Sequence, residues 1–150
     1  RQGDGLVWPA TTDDLHAPPA PGDLSGGSCR GSAGYVHLWT AAHDAFPARG
    51  YLELAERAAQ YAWVHEGLQT SLCCGLAGRA LALARFYRAT GDAGWLARAR
   101  DLSIRAWRSA PHRDDPDFDL FHGHLGIALA VAELDDPLFA TVPLFGDEGW

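Results

Sequence analysis

One short frame occurs three times along this 150-residue chain and dictates how it can fold. It reads Cys29-Arg30-Gly31-Ser32-Ala33-Gly34, then Cys73-Cys74-Gly75-Leu76-Ala77-Gly78, then Phe121-His122-Gly123-His124-Leu125-Gly126. The first glycines, Gly31, Gly75 and Gly123, stand 44 and 48 residues apart. A period of that size marks a helical hairpin repeated as an array, because each hairpin buries its apolar face only against its neighbours. The expectation is an all-α chain.

The segments between frames carry the matching periodicity. Tyr35, Leu38, Trp39 and Ala42 recur at three and four residues and mark one apolar helix face, ended by Pro47 and Gly50. A second helix runs from about Tyr51 to His65, with Leu52, Ala55, Ala59 and Trp63 in line and Gly67 as its stop. Gly75 to Thr90 repeats the plan with Leu76, Ala80, Leu83, Ala84 and Tyr87. Its partner spans Ala93 to Ser109 behind a Gly91-Asp92 turn, with Asp92 as N-cap and Leu96, Ala99, Leu102 and Ala106 facing in. Arg98, Arg100, Arg105 and Arg108 form its solvated face. A polar loop over Pro111 to Asp119 leads to a last helix from Gly123 to Glu133. Residues 1–28 read as coil, interrupted by Pro9, Pro18, Pro19 and Pro21 and anchored by Trp8.

Charge and length exclude several functions. The formal charge is −7, whereas a nucleic-acid surface needs a basic stripe. No apolar run approaches the roughly 20 residues of a membrane span, and no signal peptide is visible. The expected compartment is the cytoplasm. There is no methionine, so Arg1 is not expected to be a natural start; the chain reads as the C-terminal part of a longer polypeptide, with a tail over Pro143 to Trp150.

The only cysteines, Cys29, Cys73 and Cys74, all lie in frames. Three thiols at equivalent points of a repeat suggest one metal site if the repeats curve so that the frames meet. An adjacent pair without an export signal reads as metal-binding or reactive before it reads as a disulfide. The plain alternative is that small cysteines only pack. Zinc suits thiolates; three protein ligands with an open position make a catalytic site, and a fourth such as His122 or His43 makes a structural one. Each frame opens a helix, whose N-terminus would favour a thiolate.

At these residues the chain resembles the lanthionine synthetase C-like family. The resemblance rests on Ser28 to Gly34, Ser71 to Gly78, Leu120 to Ala128, and an ending from Asp135 to Trp150 similar to that of kinase–cyclase fusions. It implies an α/α toroid related to six-hairpin glycosidases, of which residues 29–150 would supply the last turns after a lead-in over 1–28. It implies Zn2+ held by Cys29, Cys73 and Cys74, with Cys74 where the family more often has His, a Cys-Cys-Gly variant the family also contains. Arg30 stands where Tyr is frequent, and Ser25 where Arg is frequent. The family's acid/base His and its partner Asp fall upstream of the matched stretch.

The implied reaction is addition of a peptide cysteine thiol to dehydroalanine or dehydrobutyrine, giving a thioether ring. The implied partners are a precursor peptide and an upstream domain of the same polypeptide. Arg30 is the candidate for enolate charge and His122 for proton delivery. His37 reads as a packed histidine, and His16, His43, His65, His112 and His124 carry no signal. Two other functions compete. One is a non-catalytic helical module that holds a peptide in its concave face. The other is a glycosidase toroid, which needs paired carboxylates; Asp114, Asp115, Asp117 and Asp119 cluster in one loop and read as solvated.

Overall fold

The computed structural model describes residues 5–8, 24–111, 117–138 and 140. Within them lie five α-helices: α1 (Ser32–Ala45), α2 (Tyr51–Val64), α3 (Leu76–Thr90), α4 (Ala93–Ser109) and α5 (His124–Glu133), with a 3-10 turn at Pro47–Arg49. The first layer is α1, α3 and α5 in a row, each starting one residue after a frame's first glycine. The second layer is α2, packed on α1 and α3, and α4, packed on α3 and α5. This is the hairpin succession of an α/α toroid, and the chain supplies an arc of it. No helix among the described residues is long and apolar enough to cross a membrane.

α3 lies at the centre. Every residue from Leu76 to Ala84 is buried, because α1, α2, α4 and α5 all touch this helix. Its small alanines let those neighbours approach on every side, whereas α4, with neighbours on one side only, buries just Trp95, Ala99, Leu102, Ser103 and Ala106. Phe86 meets Trp95 edge to face at 5.1 Å, pinning α3 to α4.

Most turn chemistry follows the sequence. Gly50 and Gly91 take left-handed backbone, at φ 74° and 71°. Asp92 caps α4, its carboxylate accepting the Gly94 N–H at 2.8 Å. Gly67 is not the stop of α2. That helix ends at Val64, and His65 turns to extended backbone, because the carbonyls of Ala62, Trp63, His65 and Gly67 are drawn to the side chain of Arg79.

Leu38 also departs from expectation. It is 51% exposed, and the buried residues of α1 are Ser32, Ala33, Val36 and Thr40. Tyr35 and Trp39 instead join a side stack, with ring centroids 4.2 Å apart for Trp8–Tyr35, 6.4 Å for Tyr35–Trp39 and 5.6 Å for Trp39–Tyr51. Leu38 lies 100° round the helix from Trp39 and faces away from that stack. Trp8 thus anchors the lead-in as expected, helped by Leu6 N–H donating to the Arg57 carbonyl at 2.9 Å. The solvated arginines of α4 have local partners: Arg98 lies 4.3 Å over the Trp95 ring, and Arg100 reaches the Leu134 carbonyl. Expectations for Pro9, Pro18, Pro19, Pro21, His16, His112, Asp114, Asp115 and the tail from Pro143 lie outside the described residues.

Candidate metal centre

The three frames fold as one repeated turn. The lead-in to each helix doubles back beneath it and offers carbonyls to the helix's first N–H groups. Ser32 N–H donates to Ser25 O at 3.0 Å, Leu76 N–H to Gln69 O at 2.7 Å, and His124 N–H to Asp117 O at 2.6 Å. These are donors that a helix start leaves unpaired. The tight crossing explains the Gly-x-x-Gly spacing. A Cβ on Gly31, Gly75 or Gly123 would meet the Ser25, Gln69 or Asp117 carbonyl oxygen at 2.2, 2.4 and 2.3 Å. The second glycines meet the turn itself: Gly78 against Leu72 O and Gly126 against Leu120 O, both at 2.0 Å. φ at Gly31, Gly75 and Gly123 runs from −138° to −102°, so space, not a special backbone conformation, demands glycine here.

The turns stack in series, which brings their tips together. Ser28 and Cys29 N–H both point at the Cys73 carbonyl, at 2.8 and 3.3 Å, and Cys73 N–H donates to the Phe121 carbonyl at 2.8 Å. The Ser28 hydroxyl sits over Gly78, and the Leu72 side chain over Gly126. Each frame therefore leans on the second glycine of the next.

Cys29, Cys73 and Cys74 occupy the tips. The Cys29 and Cys74 Sγ atoms are 3.2 Å apart, the Cys74 and Cys73 Sγ atoms 3.1 Å, and all three lie within 4.8 Å of one another. None is in a disulfide; Cys29 is exposed, and the other two are half-buried. A tetrahedral zinc with Zn–S bonds of about 2.3 Å separates sulfurs by about 3.8 Å. The thiols fit such an ion if they open by about 0.6 Å, a small side-chain rotation. No histidine or carboxylate among the described residues joins them within that 4.8 Å group, so neither His122 nor His43 completes a four-ligand set. Among the described residues the group offers three donors, all thiols.

The electrostatics single out Cys29. Burial raises its thiol pKa, but hydrogen bonds from Cys74 and Cys73 and the charge of Arg30 outweigh that and bring it below the ordinary value. Cys73 is pushed up to about 12, by burial and then by its two thiol neighbours. Burial also raises Cys74, against the pull of Arg30. The first N–H groups of each helix bond to lead-in carbonyls.

Arg30 is exposed beside Cys29. His122 is 69% exposed at the third tip; its Nδ1 lies 3.5 Å from the Asp119 carboxylate, which also accepts the His122 N–H at 2.6 Å and the Phe121 N–H at 2.8 Å. Those backbone N–H bonds hold the Asp119 carboxyl below its usual pKa. Beside His122 opens a cavity of about 120 Å³, walled by Thr70, Asp117, His124 and Ile127. His37 is packed as expected, its Nε2 enclosed without a hydrogen-bond partner among the described residues. Asp117 and Asp119 read as solvated in the sequence but organise the third turn, Asp119 N–H donating to the Asp117 carboxylate at 2.9 Å. Arg79 carried no sequence prediction. The signal was present: a charge on the apolar stripe of a helix, where the other frames have Tyr35 and Ile127.

The comparisons with known proteins agree with this architecture. Residues 2–144 match the lanthionine synthetase C-like protein family. The chain is also 32% identical over 122 residues to a Danio rerio protein named Glutathione S-transferase LANCL1. That match covers 78% of this chain and 30% of the relative, so the chain spans about a third of the relative's length. Three hairpin frames stacked tip to tip, with the family match running through all of them, place the chain in the lanthionine synthetase C-like family.

Proposed function

We propose that residues 29–150 are the C-terminal part of a lanthipeptide cyclase, which adds a peptide cysteine thiol to dehydroalanine or dehydrobutyrine and forms a thioether ring. The observation that carries this reading is the convergence of three free thiols from two separate turns, all within 4.8 Å. Cys29, Cys73 and Cys74 are the residues that would hold a zinc ion. Bound there, zinc would supply the Lewis acidity that keeps an incoming thiol ionised at neutral pH. A cluster of reduced thiols also suits the cytoplasm.

The chain's own residues account for the remaining chemistry. The cavity beside His122 takes the dehydroamino-acid residue, its 120 Å³ being suited to a three- or four-carbon unit. The substrate thiolate forms the new bond at the β-carbon, and the π electrons move to the adjacent carbonyl oxygen. Arg30, exposed beside Cys29, is the residue this reading assigns to that developing negative charge. His122 gives a proton to the α-carbon, its Nδ1 lying 3.5 Å from the Asp119 carboxylate. The precursor peptide and an upstream domain of the same polypeptide are the partners of this reading.

The Danio rerio relative favours a second reading of the same site, in which glutathione is the thiol and the acceptor is a separate electrophile. One experiment separates the two. The zinc-loaded full-length protein is given a peptide with one cysteine and one dehydrobutyrine, with and without glutathione, and products are read by mass spectrometry. Ring closure without glutathione, lost in Cys29→Ala and slowed about 10²-fold in His122→Asn, is the expected result. A glutathione adduct in place of the ring selects the second reading, and product at the uncatalysed rate refutes both.

A further inference from the structure

Among the described residues, Arg79 is a buried cation with no carboxylate partner and the largest fully buried side chain, at 1% exposure. Its guanidinium spends itself on main-chain carbonyls: Nε donates to Ala62 O at 2.6 Å, Nη1 to Gly67 O at 2.9 Å, and Nη2 to Trp63 O at 3.1 Å and His65 O at 2.7 Å. The acceptors lie at the C-terminus of α2, where carbonyls are unpaired and the helix dipole is negative, so the fold compensates the charge there. Only the second frame has this anchor, and it carries two of the three thiols.

The bonds reach both halves of the thiol cluster. Through Gly67, Arg79 holds the lead-in whose next carbonyls, Gln69 and Thr70, accept the first N–H groups of α3 and so set the turn bearing Cys73 and Cys74. Through His65 it reaches the first frame. The His65 ring lies directly on Gly26, where a Cβ would meet ring carbon at 2.7 Å. Gly26 O accepts Ala33 N–H at the start of α1, and Gly27 lies against the Cys74 backbone. Cys29 follows two residues later.

We propose that Arg79 is the positioning residue of the thiol cluster, its four main-chain bonds fixing where the Cys73–Cys74 turn stands against the turn bearing Cys29. The metal arm of its test rests on the zinc reading above; the thiol arm does not. In the thiol arm, metal-free protein in a Cys73→Ser background is oxidised with diamide. The two remaining thiols give up two protons and two electrons to the azo bond, and the Cys29–Cys74 disulfide closes. Arg79→Lys, which keeps the charge but not the planar fork, should retain helical circular dichroism and ordinary alkylation of Cys29, yet close the disulfide at least 10-fold more slowly.

His65→Ala keeps all four main-chain acceptors of Arg79 and removes the ring that lies on Gly26 and Gly67; slower closure is expected there too. In the metal arm, with all three cysteines present, Arg79→Lys should weaken cobalt(II) affinity about 10-fold and lower the thiolate-to-cobalt absorption per ion. A folded Arg79→Lys protein with wild-type closure rate and cobalt spectrum overturns the proposal. If that variant does not fold, wild-type closure in His65→Ala overturns it. Rapid closure in the parent together with no cobalt or zinc uptake refutes the metal reading while the positioning role stands.

Discussion

Among individual residues, enclosure by the stacked layers shifts the titration of several groups. His37 is the clearest. Burial, and then the nearby Arg85 charge, push its pKa down to about 4 from an ordinary 6.5. The folded state therefore holds His37 neutral while the unfolded chain protonates it between those values. Unfolding is favoured as pH falls through that window, and the full stability is present only above about 6.5. The shift corresponds to about 3 kcal/mol at most. Urea unfolding at pH 7.5, 5.5 and 4.5 should show this loss in the wild type and a flatter profile in His37→Leu. Parallel profiles would mean that other groups carry the pH dependence. All three cysteines were visible in the sequence, but the lowered pKa of Cys29 was not, since it comes from atoms of Cys74, Cys73 and Arg30 that outweigh burial.

The helix–turn units explain why so much of the fold was legible. α4 runs over the predicted Ala93 to Ser109, and α1, α3 and α5 begin one residue after the frame glycine. Local chemistry fixes these ends: a left-handed glycine at Gly91, an Asp cap at Asp92, and a carbonyl crossing at each frame. The misses arose where a distant residue decided. α2 stops short of Gly67 because Arg79, twelve residues on, takes its carbonyls. Leu38 sits on the apolar period yet faces outward, because the neighbours of α1 lie on its other sides. The frame itself makes a sharp prediction. A Cβ at position 126 would lie 2.0 Å from Leu120 O and 2.8 Å from the Leu72 side chain. Gly126→Ala should destabilise the protein by about 2–4 kcal/mol in urea. Gly94→Ala, where only the Asp92 carboxylate approaches, should stay within about 1 kcal/mol of wild type. Equal effects would deny the frames their role as steric joints.

For the molecule as a whole, the frames form a short column of turns, and the α/α layers hold that column in register. The thiols meet because Ser28, Cys29 and Cys73 N–H groups bond from one turn to the next. A repeat with three equivalent turns could be read from spacing alone; that the tips converge needed the curvature, which no local pattern encodes. The family match runs through all three turns, and the chain spans 30% of the length of its Danio rerio relative. The most direct measurement is zinc X-ray absorption on protein purified without chelator. One zinc per chain with three sulfur scatterers at about 2.3 Å, falling to two or to no metal when any one of Cys29, Cys73 and Cys74 becomes serine, is the predicted result. Metal-free protein, or zinc whose coordination is unchanged by Cys29→Ser, would contradict it.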